Sequence, residues 1–373
     1  MIDILHKIYA RKKLFIFSLI VLVIAFTATV LIKTSGPRTP ELPEPSLKSL
    51  AASKGIILGN FAMPKLLGEK PYKDILTSQF EMALVDNQPN WHFTDSDLRP
   101  SATTFNFSRV DEVVNFAQKH NMPIEMHHYI WGEEKWLPQW LIKGKYDKPQ
   151  LMELIRNHIT TMGGRYSGKV KHWSVVNEAF SRGQHIFGLR DWWADNIGDQ
   201  SYIDKSFIWA RQADPHSKLL LNDFNNEAKN DISDAMYTYI KDALARGVPI
   251  DGIGMQMHID GTHPPLKDEV KSNMERFGAL GIKVYVTELD VNMNDVKADN
   301  EAKDKIQADI YYDMMRACIE SKVCHSFSLL GITDKETWYN YMPNTPNARP
   351  LMFDKQYKPK PAYHSFRNAL MQP

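Results

Sequence analysis

Glu178 and Glu288 are the two residues of this chain best placed to do chemistry. Each closes an apolar run, Val175-Val176-Asn177-Glu178 in one case and Val284-Tyr285-Val286-Thr287-Glu288 in the other. Each therefore reads as the end of a buried strand rather than a point on a solvated surface. Two carboxyls at neighbouring strand ends suit glycoside cleavage with retention of configuration, one as proton donor and one as nucleophile. An ionised Glu288 would raise the proton affinity of Glu178 and keep it protonated as general acid.

The residues around them fit the same chemistry. Side chains two apart on a strand share a face, which pairs Gln256 with His258 and Glu288 with Asp290. His258 between Glu288 and Asp290 would orient the nucleophile and keep it ionised. His127 and Trp131 offer an imidazole for a hydroxyl and an aromatic face for a sugar ring. Adjacent Asn177 and Glu178 would face opposite ways in a regular strand, so both serve the site only if the strand ends or bulges there. A metal is not expected, because His127 and His128 would point to opposite faces and no His-x-x-x-His or Cys cluster completes a ligand set. Nor is there a Gly-x-Ser-x-Gly elbow for a serine hydrolase, and nothing implies a cofactor.

Eight strands must carry these groups. The apolar and β-branched runs are Ile56–Asn60, Phe80–Leu84, Pro123–Ile130, Val170–Asn177, Lys218–Asn222, Gly252–His258, Lys283–Glu288 and Ser326–Gly331. Helical patterns alternate with them, among them Arg109–Lys119, Leu151–Met162, Ser201–Ala213, Ile232–Arg246, Glu269–Leu280 and Asp304–Glu320. This alternation predicts an α/β fold, a (β/α)8 TIM barrel over residues 48–373, with functional groups at the C-terminal strand ends. Glu178 and Glu288 close the fourth and seventh candidate strands.

The N-terminal segment reads differently. Lys7, Arg11, Lys12 and Lys13 in a short basic stretch, residues 1–13, precede Leu14–Ile32, which carries no charge and is long enough to cross a bilayer. The expectation is a signal anchor in the lipid bilayer with the barrel outside the cytoplasm; secretion after signal-peptide cleavage is the alternative. Residues 33–47, with Pro37, Pro40, Pro43 and Pro45, read as an extended spacer. Beyond them 39 basic residues face 41 acidic ones, so no strong field favours nucleic acid. An exported location permits a Cys318–Cys324 disulfide, which the close spacing after a helical pattern favours over two buried thiols.

Across roughly residues 48–366 the chain resembles glycoside hydrolase family 10, the family of β-1,4-xylanases. The resemblance rests on Gly164-Arg165-Tyr166, Trp173-Ser174-Val175-Val176-Asn177-Glu178, Leu221-Asn222-Asp223, Gly252-Ile253-Gly254-Met255-Gln256-Met257-His258 and Val286-Thr287-Glu288-Leu289-Asp290. It implies a TIM barrel that cleaves polysaccharide, with Glu178 as acid/base and Glu288 as nucleophile. Contacts to the reacting sugar would come from His127, Trp131, Asn177, Gln256 and His258. The resemblance also implies the Cys318–Cys324 disulfide.

Several positions depart from the family pattern. Gln79-Phe80-Glu81-Met82-Ala83 stands where the family's Glu-Asn-x-Met-Lys is expected, and Leu330 replaces a Trp, although Trp338 remains. Gly132 replaces a His and Ser174 an Asp. These changes imply an intact reaction centre beside a rebuilt neighbouring sugar site. Besides a xylanase, an enzyme for another β-glycan, an exo-acting variant and an inactive glycan-binding protein remain as alternatives.

Overall fold

The structure, a computed structural model, describes residues 39–86, 89–92, 97–180 and 191–373. Leu14–Ile32 lies outside the described residues. Among the described residues no helix is long and apolar enough to cross a membrane.

Nine parallel strands are described: β1 (Ile57–Phe61), β2 (Met82–Val85), β3 (Ile124–Trp131), β4 (Val170–Asn177), β5 (Lys218–Asp223), β6 (Gly252–Met255), β7 (His258–Asp260), β8 (Lys283–Asn292) and β9 (Cys324–Leu329). Strands β1 to β6 pair in sequence, β1 also pairs with β9, and β9 pairs with β8. A β6–β8 ladder from Gly252↔Lys283 to Met255↔Val286 closes the ring into a parallel barrel. Both faces of these strands are covered, so they read as nearly continuous apolar runs.

One predicted strand is interrupted. Gly252–His258 divides at Gln256 and Met257, where Met257 takes φ of 60°, and the chain resumes as β7 along the upper half of β8. Gln256 therefore reaches the barrel mouth from the break after β6 and His258 from the start of β7, rather than both from one regular face.

Helices wrap the barrel through apolar stripes. Helix Lys148–Tyr166 begins with a capping box, in which Asp147 accepts from Gln150 N and the Gln150 side chain accepts from Asp147 N. It buries Leu151, Ile155, Ile159 and Met162.

The packed body starts earlier than residue 48. Arg367 donates to the carbonyls of Glu44 (2.8 Å) and Pro45 (3.1 Å), and Ser46 caps helix Leu47–Ser53, which buries Leu47 and Ala51. The last residues of the expected spacer thus belong to the globular fold, because their carbonyls and Leu47 find partners on the C-terminal helix and the barrel floor.

Candidate active site

Glu178 follows the last residue of β4 with φ of 54°, a left-handed conformation unusual for a side-chain-bearing residue. The strand therefore ends at Asn177, and the turn brings both side chains to the same side. Gln256 Nε2 donates to Asn177 Oδ1 at 3.3 Å and to Glu178 Oε1 at 3.1 Å. Trp131, at the end of β3, donates its indole N–H to Glu178 Oε2 at 2.8 Å.

Glu288 sits on β8 between two imidazoles. His127 Nδ1 lies 3.1 Å from Oε1, and His258 Nε2 lies 3.4 Å from Oε2. Asn222 donates to Glu288 Oε1 at 3.0 Å and to Asn177 Oδ1 at 2.8 Å. The amides of Asn222, Asn177 and Gln256 therefore link the two carboxyls in one continuous network. Thr287 steadies Asn222 by donating to its Oδ1 at 2.9 Å.

Asp290 is fully buried, 3.2 Å from His258 Nδ1. Trp338 Nε1 donates to it at 2.6 Å and Tyr339 O–H at 3.3 Å. Trp338 also packs against the His258 ring, 5.3 Å between centroids. This residue thus supports the histidine as well as offering an aromatic surface.

The electrostatics separate the two glutamates. Burial is the main force pushing the Glu178 carboxyl up to about 8, with the charge of Asp223 adding more than that of Glu288. Bonds from Gln256 and Trp131 oppose the rise. The expected influence of Glu288 on Glu178 is present but secondary. Burial would also raise Glu288, yet hydrogen bonds and charges from His127 and His258 prevail and hold it well below the usual carboxylate range. Burial would lower His127, but Glu125 and Glu288 draw it up to about 10. His258, facing Asp290 and Glu288, is likewise raised. One carboxyl is thus kept protonated and the other ionised, as an acid and a nucleophile require.

One sequence expectation about the site needs correction. Gln79, Phe80, Glu81, Met82 and Ala83 lie at the N-terminal end of β2, the end opposite the site. Gln79 ends a helix, its Oε1 accepting from Leu47 N at 3.1 Å and Tyr363 O–H at 3.3 Å. The error arises because the strand starts, rather than ends, at this apolar run. The C-terminal end of β2 instead delivers Asp86, followed by buried Asn90 and Trp91.

Gly132 also has a structural reason. A β-carbon at this position would collide with the side chain of Asp191. Asp191 is buried, caps helix Trp192–Ile197 by accepting from Ala194 N at 2.6 Å, and accepts from Tyr202 O–H. Leu330 follows β9 directly and is buried; Ser174 is buried within β4.

Glu125 was missed. It lies two residues before His127 on β3, and this period-two spacing was the available signal. Cys318 and Cys324 form a disulfide with a Cα–Cα distance of 5.2 Å, at the N-terminal end of β9.

A parallel (β/α) barrel with paired, oppositely tuned carboxyls at its C-terminal mouth defines a glycoside hydrolase. The glycosyl hydrolase family 10 model matches residues 46–369, and the chain belongs to that family. Endo-1,4-beta-xylanase B of Thermotoga neapolitana is 33% identical over 303 residues, covering 80% of this chain and 83% of the relative. The Dictyoglomus thermophilum beta-1,4-xylanase is 32% identical, covering 78% of this chain and 82% of its own length. Among solved structures, xylanase 10B from Thermotoga petrophila RKU-1 in complex with xylobiose superimposes with a TM-score of 0.81 at 30% identity, covering 89% of this chain and 98% of that one.

Proposed function

We propose that this protein is a retaining endo-1,4-β-xylanase working by double displacement. The observation that carries the reading is the opposite tuning of Glu178 and Glu288 within one amide network. Protonated Glu178 donates to the leaving glycosidic oxygen while Glu288 attacks the anomeric carbon. Glu178, now ionised, then takes a proton from water, and the water releases the sugar from Glu288 with net retention. Trp131 and Gln256 hold the Glu178 carboxyl, and His127, His258 and Asn222 hold Glu288, so little reorganisation accompanies the reaction. The xylanase names of the family relatives support xylan as substrate.

The glycone side of the site is proposed to differ from the usual family arrangement. We take the family's Glu-Asn-x-Met-Lys to correspond to the segment after β2, where the chain carries buried Asp86 and Asn90, a shorter acid and an amide in place of a cation. Leu330 in place of a Trp removes a stacking face, and each lost polar contact weakens binding by roughly 1 kcal/mol. Binding energy of this kind also supports turnover, so this chain is expected to be slower on unsubstituted xylan. The basic residues before Leu14–Ile32 support an exported, membrane-anchored enzyme.

The test is incubation of the protein with xylan, xylo-oligosaccharides and other β-glycans, with products separated by size. Glu288-dependent release of short xylo-oligomers supports the assignment. Silence on xylan with cleavage of another glycan would overturn the substrate, and turnover by a Glu288→Ala variant would overturn the mechanism.

A further inference from the structure

Glu125 is a fully buried carboxylate on β3, and the double displacement gives it no role. Its Oε1 lies 3.3 Å from His127 Nε2, and its Oε2 accepts from Ser328 Oγ at 2.9 Å. Ser328 can reach it because position 59 on the neighbouring strand is glycine, where a β-carbon would collide with Ser328 Oγ.

The contacts continue in one line. Glu125 meets His127, His127 meets Glu288 at 3.1 Å, Glu288 meets His258 at 3.4 Å, and His258 meets Asp290 at 3.2 Å. Three carboxylates alternate with two imidazoles. The hydroxyl of Ser328 caps one end, and the donors on Trp338 and Tyr339 cap the other.

We propose that Glu125 is a positioning residue for the nucleophile, fixing His127 as an imidazolium that donates one N–H to Glu125 and the other to Glu288. This rests on the role of Glu288 given above. A neutral imidazole has a single N–H and could donate to only one of the two carboxylates it touches, leaving an oxygen of the other facing a lone pair in a dry interior. A doubly protonated ring satisfies both.

With Glu288 alone as its partner, the buried ring would be drawn toward neutrality by desolvation. The second carboxylate reverses that balance, and His127 is held up to about 10. Glu125 thus makes His127 a fixed positive charge that keeps Glu288 ionised as a nucleophile. The same fixed donor favours departure of Glu288 from the anomeric carbon when the glycosyl-enzyme breaks down.

The charged and titratable groups that bear on His127 are few. Glu125 and Glu288 raise its proton affinity. His128, held down to about 3, is next in the chain, and His172 on β4 pairs in register with Glu125. Burial holds His172 well below its ordinary value. Both therefore stay neutral, and neither replaces the carboxylate of Glu125.

The experiment is a nitrogen NMR titration of the His127 ring in the substrate-free enzyme and in Glu125→Gln, joined to kinetics on a xylo-oligosaccharide. The ring of the parent enzyme is expected to stay doubly protonated until about pH 10. In Glu125→Gln its midpoint falls by at least two pH units, kcat drops roughly tenfold or more, and KM stays within about threefold, the pattern for loss of an interaction that acts on the reacting group. Glu125→Asp, which keeps the charge but draws it back from His127 by one methylene, shifts both quantities in the same direction by less. It serves as the test if Glu125→Gln does not fold.

An unmoved His127 midpoint with unchanged kcat, even alongside lower thermal stability, would overturn the proposal and leave Glu125 a structural residue. Because the titration needs no substrate, it stays readable even if the parent enzyme does not cleave xylan, a result that would count against the function and not against this relay.

Discussion

Trp131 donates its indole N–H to Glu178 Oε2 at 2.8 Å, tying the end of β3 to the turn after the neighbouring strand β4. The bond favours the ionised carboxylate and so opposes the upward shift of Glu178. Trp131→Phe keeps most of the apolar face but removes this donor. We expect kcat to fall by roughly tenfold to a hundredfold, the range for losing a hydrogen bond to a charged group. The alkaline limb of the pH–rate profile should at the same time move upward. A rate loss with an unmoved limb would show that the indole N–H does not act on Glu178.

The pH dependence follows from the same carboxyl. Glu178 must be protonated to act as acid and is raised to about 8, so kcat/KM in the free enzyme should fall as pH rises through that value. Asp223, fully buried at the end of β5, contributes to the rise through its negative charge. Asp223→Asn removes that charge, so the Glu178 pKa drops and the alkaline limb moves to lower pH. A pH–rate series on both proteins checks this. A limb that stays in place or moves upward in the variant would contradict the assignment of Glu178 as the group titrating near 8.

The barrel was legible because its strands, buried on both faces, stand out as apolar runs between amphipathic helices. Glu178, Glu288, Gln256, His258 and Asp290 were legible because each lies at the end of such a run. The same uniform burial hid polarity along β2. Met82 to Val85 is apolar throughout, so nothing in the strand marks which end opens onto the site, and the sequence reading places Gln79 to Ala83 at the wrong end. The left-handed turns at Glu178 and Met257 were not legible either, since both residues carry side chains and only the surrounding fold imposes that conformation. Glu125 was passed over because an isolated glutamate normally belongs to the surface.

Gly132 and Asp191 occupy space that excludes any larger residue at position 132. Gly132→His should therefore lower stability by roughly 1–3 kcal/mol, the usual cost of overpacking, with loss of the Asp191 cap included. Thermal unfolding measures it. Introduction of histidine with no change in Tm would show that the Asp191 side chain is free to leave its place.

The Cys318–Cys324 disulfide closes a short loop of sequence separation 6 at the barrel end away from the reacting groups. Replacing both by serine should cost about 2 kcal/mol on the loop-entropy account while leaving kcat unchanged. Denaturant unfolding and kinetics, run side by side, separate the two effects. A large fall in kcat in the folded protein would tie this end of the barrel to the chemistry.

A nucleophilic Glu288 and a proton-donating Glu178 together dictate the anomeric configuration of the first product. Proton NMR can follow the full-length protein acting on a β-linked xylo-oligosaccharide before mutarotation sets in. The β-anomer should appear first, and a Glu288→Ala variant should give no product. Initial appearance of the α-anomer would contradict the double displacement, and so would undiminished hydrolysis by Glu288→Ala.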